Sequence, residues 1–163
     1  MTLEQSDPKR RGQRFDSPQQ EAYLNLWRTY DRLRLLEDEL FARFDLTAQQ
    51  YNALRLLKAA HPKKVATLSL AGRLVSRAPD ITRLLDKLVE RGLVERERPA
   101  DNRRVVNVGI TDAGQALLDQ LAPAIRECHE RQLGHMDEDE MRTLVELLRK
   151  ARSPHEAHDS NWH

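Results

Sequence analysis

The chain has 163 residues, 39% apolar, 33% charged and 5% aromatic, with 6 glycines and 7 prolines, which suits one helix-rich domain and excludes collagen-like and Pro/Gly low-complexity chains. No apolar run approaches the ~18 residues of a membrane helix, the first residues lack a secretion-signal core, and the single cysteine, Cys128, excludes a disulfide framework. A cytoplasmic location with no membrane partner is therefore expected, and the net charge of +1 hides a basic middle (11 Lys/Arg against 6 Asp/Glu over residues 61–104) beside an acidic end (6 against 11 over residues 105–163).

Residues 1–16 are polar and aperiodic and read as a flexible arm. A helix is predicted from Ser17-Pro18 to about residue 44, because Tyr23, Leu26, Trp27, Tyr30, Leu33, Leu36, Leu40, Phe41 and Phe44 recur at three/four spacing. Thr47-Ala48-Gln49-Gln50 is a capping box for a second helix carrying Tyr51, Leu54 and Leu57, which His61-Pro62 stops. Thr67 is placed to cap a short third helix over residues 68–74, with Leu70, Ala71 and Leu74 inward. After a tight turn at Val75-Ser76-Arg77, a fourth helix has Pro79 in its first turn. Its apolar stripe is Ile81, Leu84, Leu85 and Leu88, and Gly92 suits the left-handed position at its end.

The period then changes to that of a strand. Residues 93–97 and 105–110 form two extended runs around the turn Arg98-Pro99-Ala100-Asp101-Asn102-Arg103-Arg104, which predicts a hairpin with a basic tip. Thr111 caps a long fifth helix with Leu117, Leu118, Leu121, Ile125, Cys128 and Leu133, in which Pro123 predicts a bend. Asp137-Glu138-Asp139-Glu140 starts a sixth, with acid at the positive helix end and a stripe of Met141, Leu144, Val145 and Leu148. Residues 153–163 read as a flexible tail.

The order of a short helix, a tight turn, a helix ending in Gly and a basic-tipped hairpin is that of a winged helix-turn-helix. The fold class is therefore mainly α with a small β-hairpin wing, a winged helix-turn-helix domain plus a helical dimerisation region. The fourth helix would turn Arg77, Ala78, Asp80, Thr82, Arg83 and Lys87 toward duplex DNA. Arg suits guanine bidentately and Thr donates or accepts. Asp80 would either accept from a cytosine amino group or stabilise the helix start. Arg103 and Arg104 sit at a turn able to enter a minor groove, and Asp101 is placed to hold Arg103 extended.

At Ala71-Gly72-Arg73-Leu74, at residues 80–96 and at Asp101-Asn102-Arg103-Arg104 through Ile110-Thr111-Asp112-Ala113-Gly114, the sequence resembles the MarR-type winged-helix transcription regulators. Its Asp-x-Arg wing and Thr-x-x-Gly helix start match the family pattern, whereas Pro79 and Asp80 depart from the small hydroxyl residues common there. The resemblance implies a homodimer built from the first and last two helices, binding a pseudo-palindromic operator, and in many members released by a small anionic or phenolic ligand. The chain is expected to divide into an arm (1–16), a dimerisation region (17–46 with 111–152), a DNA-binding lobe (47–110) and a tail (153–163). Trp27, Tyr30 and Tyr51 are the candidate wall of a pocket for an aromatic or anionic effector, with plain core packing as the alternative.

No Gly-rich phosphate loop, nucleophile elbow or His-Glu-x-x-His run is present, so no enzyme is expected. Cys128-His129 with His135 matches no zinc spacing, so no metal or cofactor is expected either, and Cys128 reads as a small buried apolar residue rather than a thiol sensor. The rival function is a winged-helix module for protein–protein contact, which needs no basic wing.

Overall fold

A computed structural model of the chain describes residues 15–76 and 80–156. The elements run α1 (Pro18–Ala42), α2 (Ala48–Ala60), β1 (Val65–Ala66), α3 (Thr67–Arg73), α4 (Ile81–Glu90), β2 (Val94–Glu97), β3 (Asn107–Ile110), α5 (Asp112–Leu133) and α6 (Glu138–Arg152), with a 3-10 turn at Ser153–His155. No helix among the described residues is long and apolar enough to cross a membrane. Residues 1–14 and 157–163 of the expected arm and tail lie outside the described residues.

The chain divides into two units after Leu36. The described part of the first is essentially the N-terminal stretch of α1. Its start is fixed by the Gln20 backbone N–H, which donates to the Ser17 hydroxyl (3.1 Å), and its apolar side chains are largely open: Tyr23, Leu24, Leu26, Trp27, Tyr30 and Leu35 are all exposed.

The second unit holds the core. Phe41, Leu54, Leu57, Leu70, Leu85, Leu88, Val108 and Leu121 are fully buried, drawn from six elements at the spacings that put each on one face. α1 ends at Ala42, two residues before the predicted stop, because Asp45 turns the chain at φ 53°. Asp tolerates that region better than most residues. The Arg91 guanidinium donates to the carbonyls of Phe44 (3.2 Å) and Asp45 in the turn that follows the helix. α2 opens on the predicted capping box, Gln50 N–H to the Thr47 hydroxyl at 3.1 Å and Thr47 N–H to the Gln50 amide oxygen at 3.0 Å. α6 opens on another, between Asp137 and Glu140.

Two expectations are corrected. Thr67 is the first residue of α3 rather than its cap: Ala66 holds that position without a side-chain bond, and Thr67 instead donates its N–H and its hydroxyl to the Val106 carbonyl, both at 3.0 Å. The hairpin is also not alone. β1 pairs antiparallel with β3, Val65 opposite Val108, giving a three-stranded sheet in the order β1-β3-β2. α5 runs unbroken through Pro123.

The Thr-x-x-Gly start of α5 has a steric reason. The Thr111 hydroxyl donates to the Gly92 carbonyl (2.6 Å) and accepts from Gly114 N–H (3.1 Å), while Thr111 N–H donates to the Leu93 carbonyl (3.1 Å). That knot brings α5 so close to the 92–93 backbone that a Cβ on Gly114 would stand 2.3 Å from the Leu93 carbonyl oxygen.

Candidate nucleic-acid interface

α4 buries Leu84, Leu85 and Leu88 and leaves Asp80, Thr82, Arg83 and Lys87 exposed, as predicted from the sequence, whereas Ile81, expected in the buried stripe, is partly exposed. Arg77, Ala78 and Pro79 lie outside the described residues, and since α4 starts at Ile81 with Asp80 as its cap, Pro79 precedes the helix rather than standing in its first turn. The Asp80 carboxylate accepts from Arg83 N–H (2.9 Å) and caps the helix. That oxygen satisfies one of the free N–H groups of the first turn and adds negative charge at the positive end of the helix dipole. The turn ahead of α4 is held from below by Asn52, a buried residue of α2 whose side-chain oxygen accepts from Val75 N–H at 3.0 Å. Nothing in the local sequence marks that contact, since Asn52 lies in the middle of a helical stripe.

The wing turn between β2 and β3 is shaped by Asn102. Its N–H donates to the Pro99 carbonyl (3.3 Å), its carbonyl accepts from Val105 N–H (3.1 Å), and its side-chain oxygen accepts from Arg104 N–H (3.2 Å). Asp101, Arg103 and Arg104 are all exposed. Among the described residues no ion pair joins Asp101 to Arg103, so in the free chain the bend rests on Asn102 and not on the expected Asp101–Arg103 contact.

Between α3, α4 and the wing runs an open groove of about 610 Å³, whose lining includes Thr67, Leu68, Thr82, Arg96, Arg98 and Arg104. Thr82 of the helix and Arg104 of the wing therefore share one surface. Among the described residues Arg83, Lys87, Arg98, Arg103 and Arg104 enter no ion pair, so their charge is left for a polyanion. Other cations of this lobe are committed. Arg96 donates to Asp86 (2.5 Å) and to the Thr82 carbonyl (3.2 Å). Lys64 contacts Glu95 (3.0 Å) and Glu97 (2.8 Å), and those carboxylates, Glu97 first, hold its ammonium above the ordinary lysine range.

Of the candidate aromatic residues, Trp27 and Tyr30 belong to the first unit and Tyr51 to the second. Trp27 and Tyr30 are each 61% exposed, and the Trp27 ring lies tilted against Tyr23 at 6.3 Å. Tyr51 is half-buried and stacked on Phe41 at 4.8 Å, its hydroxyl pushed above the usual phenol range mainly by burial. Cys128 is 4% exposed, and burial raises its thiol too, which disfavours the reactive thiolate. Among the described residues no group of three metal-ligating side chains occurs.

A model of the MarR family matches residues 46–106, the stretch from α2 through the wing. The multiple antibiotic resistance protein MarR of Escherichia coli is 32% identical over 124 residues, spanning 72% of this chain and 80% of that protein. The crystal structure of a MarR transcription factor from Planctomyces limnophilus superposes with a TM-score of 0.67 at 58% identity, covering 84% of this chain and 99% of that one. A mutant of Escherichia coli MarR complexed with operator DNA superposes with a TM-score of 0.72 at 26% identity, covering 80% and 93%.

Proposed function

We propose, from the premise that this chain belongs to the MarR family and is a DNA-binding transcription regulator, that it acts as a homodimer on a pseudo-palindromic operator and represses by occupying it. The observation that carries this reading is the shared groove: Thr82 on α4 and Arg104 on the wing line one surface, beside Arg83, Lys87, Arg98 and Arg103, which enter no ion pair among the described residues. Thr82, Arg83 and Lys87, with Arg77 and Ala78 just ahead of them, would meet base edges and phosphates in the major groove, while Arg103 and Arg104 would reach the adjacent minor groove. Asp101 would take up Arg103 as that side chain extends toward DNA, and Asp80 would hold the first turn of α4 in place. The lobe of residues 47–110 would do the reading, and residues 17–46 with 111–152 would join the copies.

What supports the second copy is exposure. α6 contributes no buried residue, with Leu147 59% exposed, and Tyr23, Leu24, Leu26, Trp27, Tyr30 and Leu35 of α1 are open to solvent. A single chain gains nothing from such stripes, and a partner would cover them. Two recognition helices would then read half-sites about one DNA turn, ~34 Å, apart. Selection from random duplexes tests this, and a recovered palindrome with that spacing is the expected outcome. On that operator Arg103→Ala should weaken binding by about 1–3 kcal/mol, and each lost phosphate contact should lower the salt slope by about one. A protein that recovers no preferred sequence and shows no salt slope would instead be a protein–protein module.

Effector release is the finer part of the reading. The groove beside Thr82 is within the usual ~300–1,000 Å³ size of ligand sites and offers arginines beside the apolar Leu68. A small aromatic anion bound there would occupy cations that DNA needs, so ligand and operator would exclude each other by the same factor in both directions. Calorimetric titration of aromatic carboxylates and phenols, with and without operator, tests it. Loss of binding in Arg104→Ala would place the ligand in the groove, and loss in Tyr51→Ala or Trp27→Ala would place it at the aromatic residues.

A further inference from the structure

We infer that Arg96 is the positioning residue that fixes the wing relative to the recognition helix, acting through Asp86 and the Thr82 carbonyl rather than by touching DNA. The inference rests on the DNA-binding reading above. Arg96 stands on β2, the strand that leads into the wing, and its guanidinium makes two contacts on α4 one helical turn apart. One nitrogen donates to the Asp86 carboxylate at 2.5 Å, the other to the carbonyl of Thr82 at 3.2 Å. Thr82 is itself a residue proposed to face the bases. A planar fork held at two points has a fixed direction as well as a fixed distance, which a lysine could not reproduce.

The opposite face of the same strand is held as well. Residues alternate sides along a strand, so Glu95 and Glu97 point away from Arg96, and both meet the Lys64 ammonium. The Lys64 stem reaches them by crossing β3 at Gly109, where an added Cβ would come within 3.0 Å of the Lys64 Cγ. β2 is thus tied to α4 on one side and to the segment before β1 on the other. The side chains of Arg96 and Asp86 are 30% and 48% exposed, and pairs that open to solvent contribute little to stability. What the contact supplies is geometry. Two DNA-contacting prongs bind well together only when their separation matches the duplex, since each is then delivered without further ordering.

The test uses the full-length protein, its selected operator and a scrambled duplex of equal length. Asp86→Asn and Arg96→Met should each weaken operator binding about tenfold, leave scrambled-duplex binding unchanged, and together be no worse than either alone. Adding Arg103→Ala to Arg96→Met should cost far less than adding it to the wild type, because the wing is already misplaced. Lys58→Met, which removes an exposed α2–α5 pair with Asp119, should leave operator binding unchanged. If Asp86→Asn binds as tightly as the wild type or tighter while Arg96→Met is weakened, Arg96 touches DNA directly and the inference fails. It fails equally if Arg96→Met loses as much on the scrambled duplex, or if Arg103→Ala costs the same in both backgrounds. Should Arg96→Met not fold, Asp86→Asn alone decides, since it keeps the arginine and removes the charge that holds it. A wild type that selects no operator overturns the DNA-binding reading and this inference with it, whereas a wild type that binds beside unaffected variants overturns only this inference.

Discussion

A methyl group on Gly114 would stand 2.3 Å from the Leu93 carbonyl oxygen, a backbone atom that cannot swing away, whereas one on Gly92 would meet nothing within 4 Å. The two glycines are needed for different reasons. Gly92 is held at φ 69°, so Gly92→Ala should cost about 1–2 kcal/mol from backbone strain alone. Gly114→Ala must push α5 off the 92–93 segment and should cost more, about 2–3 kcal/mol on the scale of overpacked cores. Urea denaturation of the two variants compares them, and equal losses would refute the steric reading. Glu37 is half-buried, and its carboxyl is raised above its ordinary 4.5 by burial first, with His129 opposing and Asp38 adding to the shift. The folded chain therefore binds that proton more tightly than the unfolded one. The stability this supplies is complete below about pH 4.5 and is lost as pH rises through the raised value. Glu37→Gln should abolish that decline and be at least as stable as the wild type at pH 7, as read from melting temperature against pH.

Among the elements, α4 shows most directly how local chemistry and tertiary packing divide the work. Its start depends on Asp80, so Asp80→Ala should lower stability by about 1 kcal/mol, and Asp80→Ser, which keeps a capping oxygen, should recover most of it. If the serine variant is as unstable as the alanine one, the carboxylate does more than cap. Its buried face depends on the whole lobe, and Leu85→Ala should cost about 2–5 kcal/mol, measured in the same denaturation series. The stripe Leu84, Leu85 and Leu88, the left-handed Gly92 and the hairpin that follows were all legible in the sequence, because each is a signal between residues at most four apart. Thr67 was misread for a related reason. It stands where a capping threonine would stand, but Val106, the residue just before β3, offers it a carbonyl, and a two-residue strand forms instead of a cap.

For the molecule as a whole, the exposed apolar side chains of α1 and α6 argue for a second copy. Light scattering at micromolar concentration should give twice the mass of one chain. Leu26→Glu and Val145→Glu, each placing a charge in an exposed apolar stripe, should shift the protein toward the monomer and weaken operator binding together, since half-sites read by separate monomers lose the advantage of linkage. Unchanged mass in both variants would put the interface elsewhere. The α4 lobe should stay folded in these variants, because its core of Leu54, Leu57, Leu85 and Leu88 is buried within one chain.

The sequence by itself determined the helices, the caps at Thr47 and Thr111, the acidic start of α6, the strand alternation of the wing and the basic residues at its tip. Capping and amphipathic spacing act over three or four residues and need no knowledge of what lies opposite. Only the tertiary structure decided which polar side chains are spent within the fold. Asn52 supports the turn at Val75, Arg91 holds the turn after α1, Lys64 crosses Gly109 to Glu95 and Glu97, and Arg96 reaches back to Asp86 and Thr82. In the sequence these arginines and lysines look like Arg83, Lys87, Arg103 and Arg104. An ionic contact has no period and a reach of only a few ångströms, so its partner is known only once the backbone has brought distant segments together.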